Sequence, residues 1–103
     1  MKQKLKEQDL EFLYQAVINL QDIEECRRFF KDLCTVTELK AISQRLQVAK
    51  MLSEKHVYSD IVRNTGASTA TISRVNRSLQ YGENGYTETF RRLGIPVDEP
   101  EEE

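Results

Sequence analysis

The segment YSDIVRNTGASTATISRVNR, Tyr58 to Arg77, carries the residue types of a helix-turn-helix at every position that must be small, apolar or polar. Two short helices packed across a tight turn need apolar residues at fixed offsets and a turn residue that tolerates positive φ. Gly66 fills the turn position. Ile61 and Thr65 stand four apart on the inner face of the first helix; Ala67, Ile72 and Val75 continue that inner set past the turn, and Leu79 adds another turn. Ser59 is suited to cap the first helix and Ser68 the second.

Opposite this inner set, the second helix presents Ser68, Thr69, Thr71, Ser73, Arg74 and Arg77, short hydroxyls followed by two guanidinium groups. Short side chains let a helix N-terminus approach phosphates and base edges, where a hydroxyl bonds either donors or acceptors and a threonine methyl meets a thymine methyl. The two arginines add charge for phosphates or guanines. The face therefore points to double-stranded DNA, against the plainer alternative of a packing unit whose surface is merely rich in Ser and Thr.

Length and charge frame this reading. A chain of 103 residues has room for one compact domain, here taken as residues 1–94 with the helix-turn-helix over about 58–79. The formal net charge of −2 looks unsuited to phosphate binding, but it averages two unlike regions. Between Lys40 and Gly82 seven Lys and Arg residues face two acids, Glu54 and Asp60, for a local +5. Asp98 to Glu103 hold five acids in six residues, so 95–103 reads as an acidic disordered tail, with competition against DNA for the basic face as a sharper alternative. Cys26 and Cys34 lie about 12 Å apart along a helix, too far for a disulfide, and C-x7-C with one histidine in the chain matches no usual zinc spacing. Reduced, buried cysteines are expected, and no metal or cofactor. The N-terminus lacks an apolar signal core and no run is long enough to span a bilayer, which points to the cytoplasm.

The remaining pattern is helical throughout. Leu10, Leu13, Tyr14, Val17 and Leu20 repeat at the helical period, with Phe12 and Ile18 widening the stripe over Leu10 to Gln21. A second stripe, Ile23, Cys26, Phe29, Phe30, Leu33 and Cys34, follows Asp22. Thr35 and Glu38 form a capping box before a third helix with Leu39, Ile42, Leu46, Ala49 and Leu52 on one face, closed by Glu54, Lys55 and His56. Gln80 to Tyr86 reads as a loop around Gly82 and Gly85, and Thr87 as the cap of a last helix with Tyr86, Phe90 and Leu93 inward, ended by Gly94 and Pro96. The fold class is all-α with six helices.

Taken in order, two apolar helices, TVTELKAISQRLQVAKML, a helix-turn-helix with STATISRVNRSL and a short final helix resemble the Trp repressor superfamily, most closely its TrpR-like YerC/YecD branch. The resemblance runs nearly to Leu93 and is most specific over Thr35–Leu52 and Gly66–Leu79. It implies an intertwined homodimer in which the N-terminal helices of both chains share one core and two reading heads meet successive major grooves, roughly 34 Å apart. The wide apolar stripes of the first two helices fit that expectation, since a small monomer has little with which to cover them. A monomer folding them onto the third helix is the alternative.

The resemblance also implies where an effector would sit. In Trp repressor the indole lies between two arginines, and the matching positions are Arg45 and Arg74, with Thr35 and Ser78 as the matching threonine and serine. The family's tryptophan-binding members have glycine where Val75 stands, and Asp32 occupies a matching apolar position. Valine in that space overpacks an indole site at a cost of about 1–3 kcal/mol and restores the ordinary inner residue of a helix-turn-helix. L-tryptophan is thus not the expected effector; either none is needed or another small molecule uses a reshaped pocket.

Catalysis is not expected. His56 is the lone histidine, with no carboxylate pair at a recognisable spacing, and neither Ser73 nor Cys34 has the surroundings of a nucleophile. The competing class is a helical dimeric adaptor that docks a protein of the transcription machinery without reading DNA. Salt separates the two, because a DNA reader loses affinity steeply as salt rises.

Overall fold

The computed structural model describes residues 5–98. Among them are six helices and no strand: α1 Glu7–Ile18, α2 Ile23–Leu33, α3 Val36–Ser53, α4 Tyr58–Thr65, α5 Thr69–Tyr81 and α6 Gly85–Arg92. The single chain divides into two compact units, one ending at Leu39 and one beginning at Lys40.

In the first unit, α1 starts earlier than its apolar period suggests and stops at Ile18, with Asn19 as the C-cap and Leu20 beyond the helix. The Asp22 side chain accepts a hydrogen bond from the Glu25 backbone N–H and so fixes the start of α2. Phe29 and Phe30 meet edge to face at 5.5 Å. No residue of α1 or α2 is buried in the single chain; Phe12 is 74 % and Ile18 85 % exposed. Cys26 and Cys34 are both free and only half-buried, a correction to their expected burial, because the stripe they belong to is uncovered here.

The expected capping box opens α3. The Glu38 backbone N–H donates to Thr35 Oγ1 at 3.1 Å, and the Thr35 N–H donates to Glu38 Oε1 at 2.8 Å. The Thr35 backbone N–H, and after it the Thr35 hydroxyl, favour the ionised carboxylate and hold Glu38 below the ordinary carboxylate range.

The second unit owns the core, made of Val48 and Ala49 from α3, Ile61 from α4, Ala67 at the turn, Ile72 and Val75 from α5, and Phe90 from α6. Each large member contributes about 1.5–3 kcal/mol through burial. Ile42 and Leu46, expected on the inner face of α3, are exposed, while Val48 is fully buried in their place. The end of α3 is a Schellman turn: Lys55 takes the left-handed conformation at φ 69°, its N–H donating to Leu52 O and that of His56 to Met51 O. At the far end α5 runs on to Tyr81 and α6 begins at Gly85, so the loop between them is shorter than Gln80 to Tyr86. Asn84, left-handed at φ 65°, precedes α6 in place of Thr87, which lies inside the helix, and Leu93 is exposed, not inward. Beyond a second Schellman turn at Gly94, Ile95 and Val97 pack on the core, and the Ser53 hydroxyl donates to Pro96 O. The packed chain therefore continues past residue 94 to Asp98, which pairs with Lys55 at 2.7 Å. The other acids of the tail lie outside the described residues.

Candidate nucleic-acid interface

The helix-turn-helix is built as its residue types suggest. Gly66 adopts φ 73°, ψ 5°, a left-handed conformation that L side chains rarely hold, and its N–H bonds Val62 O. Thr65 locks the turn from its own side: its hydroxyl donates to Ile61 O at 2.7 Å and accepts from the Ala67 N–H at 3.1 Å. Gln44 of α3 anchors the same corner by donating from Nε2 to Thr65 O at 3.1 Å, a contact the sequence pattern did not signal because Gln44 is polar and distant in the chain. Ile61, Ala67, Ile72 and Val75 are all buried, which sets the rotation of α5 and leaves its other face free.

Ser68 is the N-cap of α5, its Oγ accepting from the Thr71 N–H at 3.1 Å. The same hydroxyl pairs with Thr71 Oγ1 at 3.1 Å, so Ser68 and Thr71 serve partly as frame. Ser59 caps nothing: α4 starts at Tyr58, with Val57 in the N-cap position and no side-chain cap bond. Thr69, Ser73, Arg74 and Arg77 are exposed, and Thr71 is half-buried. Ala70 shares their face, three residues before Ser73 and seven before Arg77, and widens the set of small side chains at the start of α5. Neither Arg74 nor Arg77 has an ion-pair partner among the described residues, whereas Arg63 of α4 pairs with Asp60 at 3.4 Å. Two unneutralised guanidinium groups and a row of short side chains thus stand together on one helix face.

The four residues matched to an effector pocket divide between the two units. Thr35 is engaged in the cap of α3 and lies in the first unit; Arg45, Arg74 and Ser78 lie in the second and are exposed. Val75 is 3 % exposed and belongs to the core, filling its own space. Asp32, in the first unit, is exposed. A groove of mixed lining does exist in the second unit, bordered among others by Leu52, His56, Asn76, Leu79 and Glu88, but none of the four residues borders it. No group of His, Cys, Asp and Glu among the described residues could hold a metal, and no described helix is long and apolar enough to cross a membrane.

The sequence profile of the Trp repressor protein matches residues 8–94, which includes all of this site. The chain belongs to the Trp repressor family. The uncharacterized protein YerC of Bacillus subtilis (strain 168) is 49% identical over 90 residues, covering 87% of this chain and 86% of its own. Two solved structures share the fold at a TM-score of 0.84: a candidate Trp repressor from Staphylococcus aureus, 48% identical over 90% of this chain and 93% of its own. The other is a TrpR-like protein from Eubacterium eligens, 54% identical over 90% and 96%. The six-helix arrangement is the Trp repressor-like fold, and the family is one of DNA-binding regulators.

Proposed function

We infer that this protein is a sequence-specific transcriptional repressor of the cytoplasm that binds a near-palindromic operator as a homodimer and does so without L-tryptophan. The observation that carries this is the exposed face of α5, where Thr69, Ala70 and Ser73 precede two unpaired arginines on a helix whose N-terminus is already capped. Ser68 and Thr71 set the helix start, while Thr69, Ser73, Arg74 and Arg77 reach the DNA, with the capping pair close behind.

The homodimer is supported by what the single chain leaves uncovered. Phe12, Tyr14, Val17 and Ile18 of α1, Ile23 and Leu33 of α2, and Ile42 and Leu46 of α3 are exposed, far more apolar surface than a stable monomer shows. A second copy of the same helices would cover it, making residues 1–94 one domain completed by the partner. Tryptophan independence is supported by Val75, whose side chain occupies core space in a helix-turn-helix that is complete without a ligand.

The test is selection of bound duplexes from fragmented genomic DNA, with and without L-tryptophan. An enriched near-palindrome in both arms is expected, together with a steep loss of affinity as salt rises. Arg77→Ala should lower the salt slope by about 1 if the side chain meets phosphate, or relax one base position if it reads guanine. Enrichment that depends on tryptophan would overturn the effector reading, and no enrichment in either arm would overturn DNA recognition.

A further inference from the structure

Tyr81 is the last residue of α5 and, at 81 % exposure, the most exposed aromatic side chain among the described residues. It has no ring contact and no hydrogen bond there, although Tyr86 and Phe90 nearby in sequence pack together at 5.9 Å. Its place on the helix is not arbitrary. It follows Arg77 by four residues and Arg74 by seven, so all three project from one face, opposite the buried Ile72 and Val75. Gly82 comes next as the C-cap, and a Cβ there would collide with the Ser78 carbonyl oxygen. The chain therefore leaves the helix directly after Tyr81, with no further turn of α5 to shield the ring.

A phenol beside two unpaired guanidinium groups suits an anionic polymer with apolar sugar surfaces. It does not suit the apolar face of a second copy, which would have to bury both cations unpaired. The length of α5 decides which part of the polymer. At 1.5 Å per residue Tyr81 stands about 18 Å along the axis from Thr69 and about 6 Å from Arg77. The major groove is only about 12 Å wide and 8.5 Å deep, so a helix whose first turn reads base edges carries its thirteenth residue past the rim and onto the flanking strand.

Building on the DNA-reading role above, we propose that Tyr81 is a backbone clamp: its hydroxyl donates to a phosphate oxygen flanking the half-site while its ring lies on the adjacent deoxyribose. It fixes the depth and angle of α5 and reads no base.

The experiment measures binding of the wild type, Tyr81→Phe, Tyr81→Ala and Arg77→Ala to the selected operator by fluorescence anisotropy. Salt is varied, and the duplexes are trimmed stepwise from their outer ends. Tyr81→Phe is expected to weaken binding by about tenfold, the size of a lost hydrogen bond to a charged group, and Tyr81→Ala by more. Base preference and salt slope should be unchanged in both, because a neutral phenol releases no counterion, whereas Arg77→Ala flattens the slope. Trimming away the flanking phosphate should erase the difference between Tyr81→Phe and wild type. The clamp is overturned if both Tyr81 variants bind every duplex as the wild type does, or if Tyr81→Ala weakens dimer association and leaves DNA affinity per dimer unchanged. Failure of the wild type to bind any duplex would instead bring down DNA recognition itself, and the clamp with it.

Discussion

Single residues set the geometry of the reading head. Gly66 is left-handed at φ 73°, and open space surrounds the place where its Cβ would be, so glycine is required there by backbone conformation and not by crowding. Val75 is the opposite case, fixed by packing at 3 % exposure. Val75→Gly removes about 1.5–3 kcal/mol of burial and places glycine within a helix for about 1 kcal/mol more. Urea unfolding at fixed protein concentration should register a loss of about 3 kcal/mol, and calorimetry should show no heat of L-tryptophan binding to the wild type. An unchanged midpoint would mean that Val75 is not a core residue. Lys55 shows what a residue-by-residue reading misses: it holds φ 69° with a side chain that ordinarily avoids that region, because two hydrogen bonds close the turn around it.

Helix boundaries were legible where a side chain makes the cap and illegible where the backbone does. The Thr35–Glu38 pair and Ser68 cap as the sequence suggests, and Asp22, which the sequence pattern does not single out as a cap, also caps with its side chain. Ser59 and Thr87 do not, because Val57 and Asn84 start α4 and α6 by backbone conformation alone and leave both hydroxyl residues inside a helix. The capping box of α3 predicts a pH dependence. Thr35, through its backbone N–H and then its hydroxyl, lowers the Glu38 carboxyl below its unfolded value, so folding favours the ionised form. The contribution is complete above that value and disappears as pH falls through the folded one. The stability difference between the wild type and Glu38→Gln should therefore be constant near neutrality and shrink toward pH 3 in pH-resolved thermal unfolding. A difference that stays constant to pH 3 would show that the carboxylate is not held by Thr35.

At the scale of the whole molecule, the core of the second unit closes over α4, α5 and α6, while α1 and α2 bury nothing by themselves. If a second copy covers them, acidic substitution there acts on assembly before it acts on helix formation. Combining Phe12→Glu with Ile18→Glu places two charges where the single chain is open to water and the proposed dimer is not. Light scattering should give half the mass of the wild type with helicity retained, and operator binding should fall at least tenfold, since a lone half-site loses the second reading head. A wild type that is monomeric at micromolar concentration would remove the dimer.

The sequence by itself determined that the chain is helical, where the glycine turn stands, and which residues of α5 face inward, because helical period and the backbone freedom of glycine are local properties. Its likeness to Trp repressor rested on the same local segments. Only the tertiary structure decided that Val48 and not Leu46 faces the core, that Gln44 holds the turn, that Ile95 and Val97 extend the packed chain past Gly94, and that Tyr81 stands uncovered beside Arg77. These depend on which neighbours arrive from elsewhere in the chain, and a stripe of apolar residues states that it must be covered without stating by what.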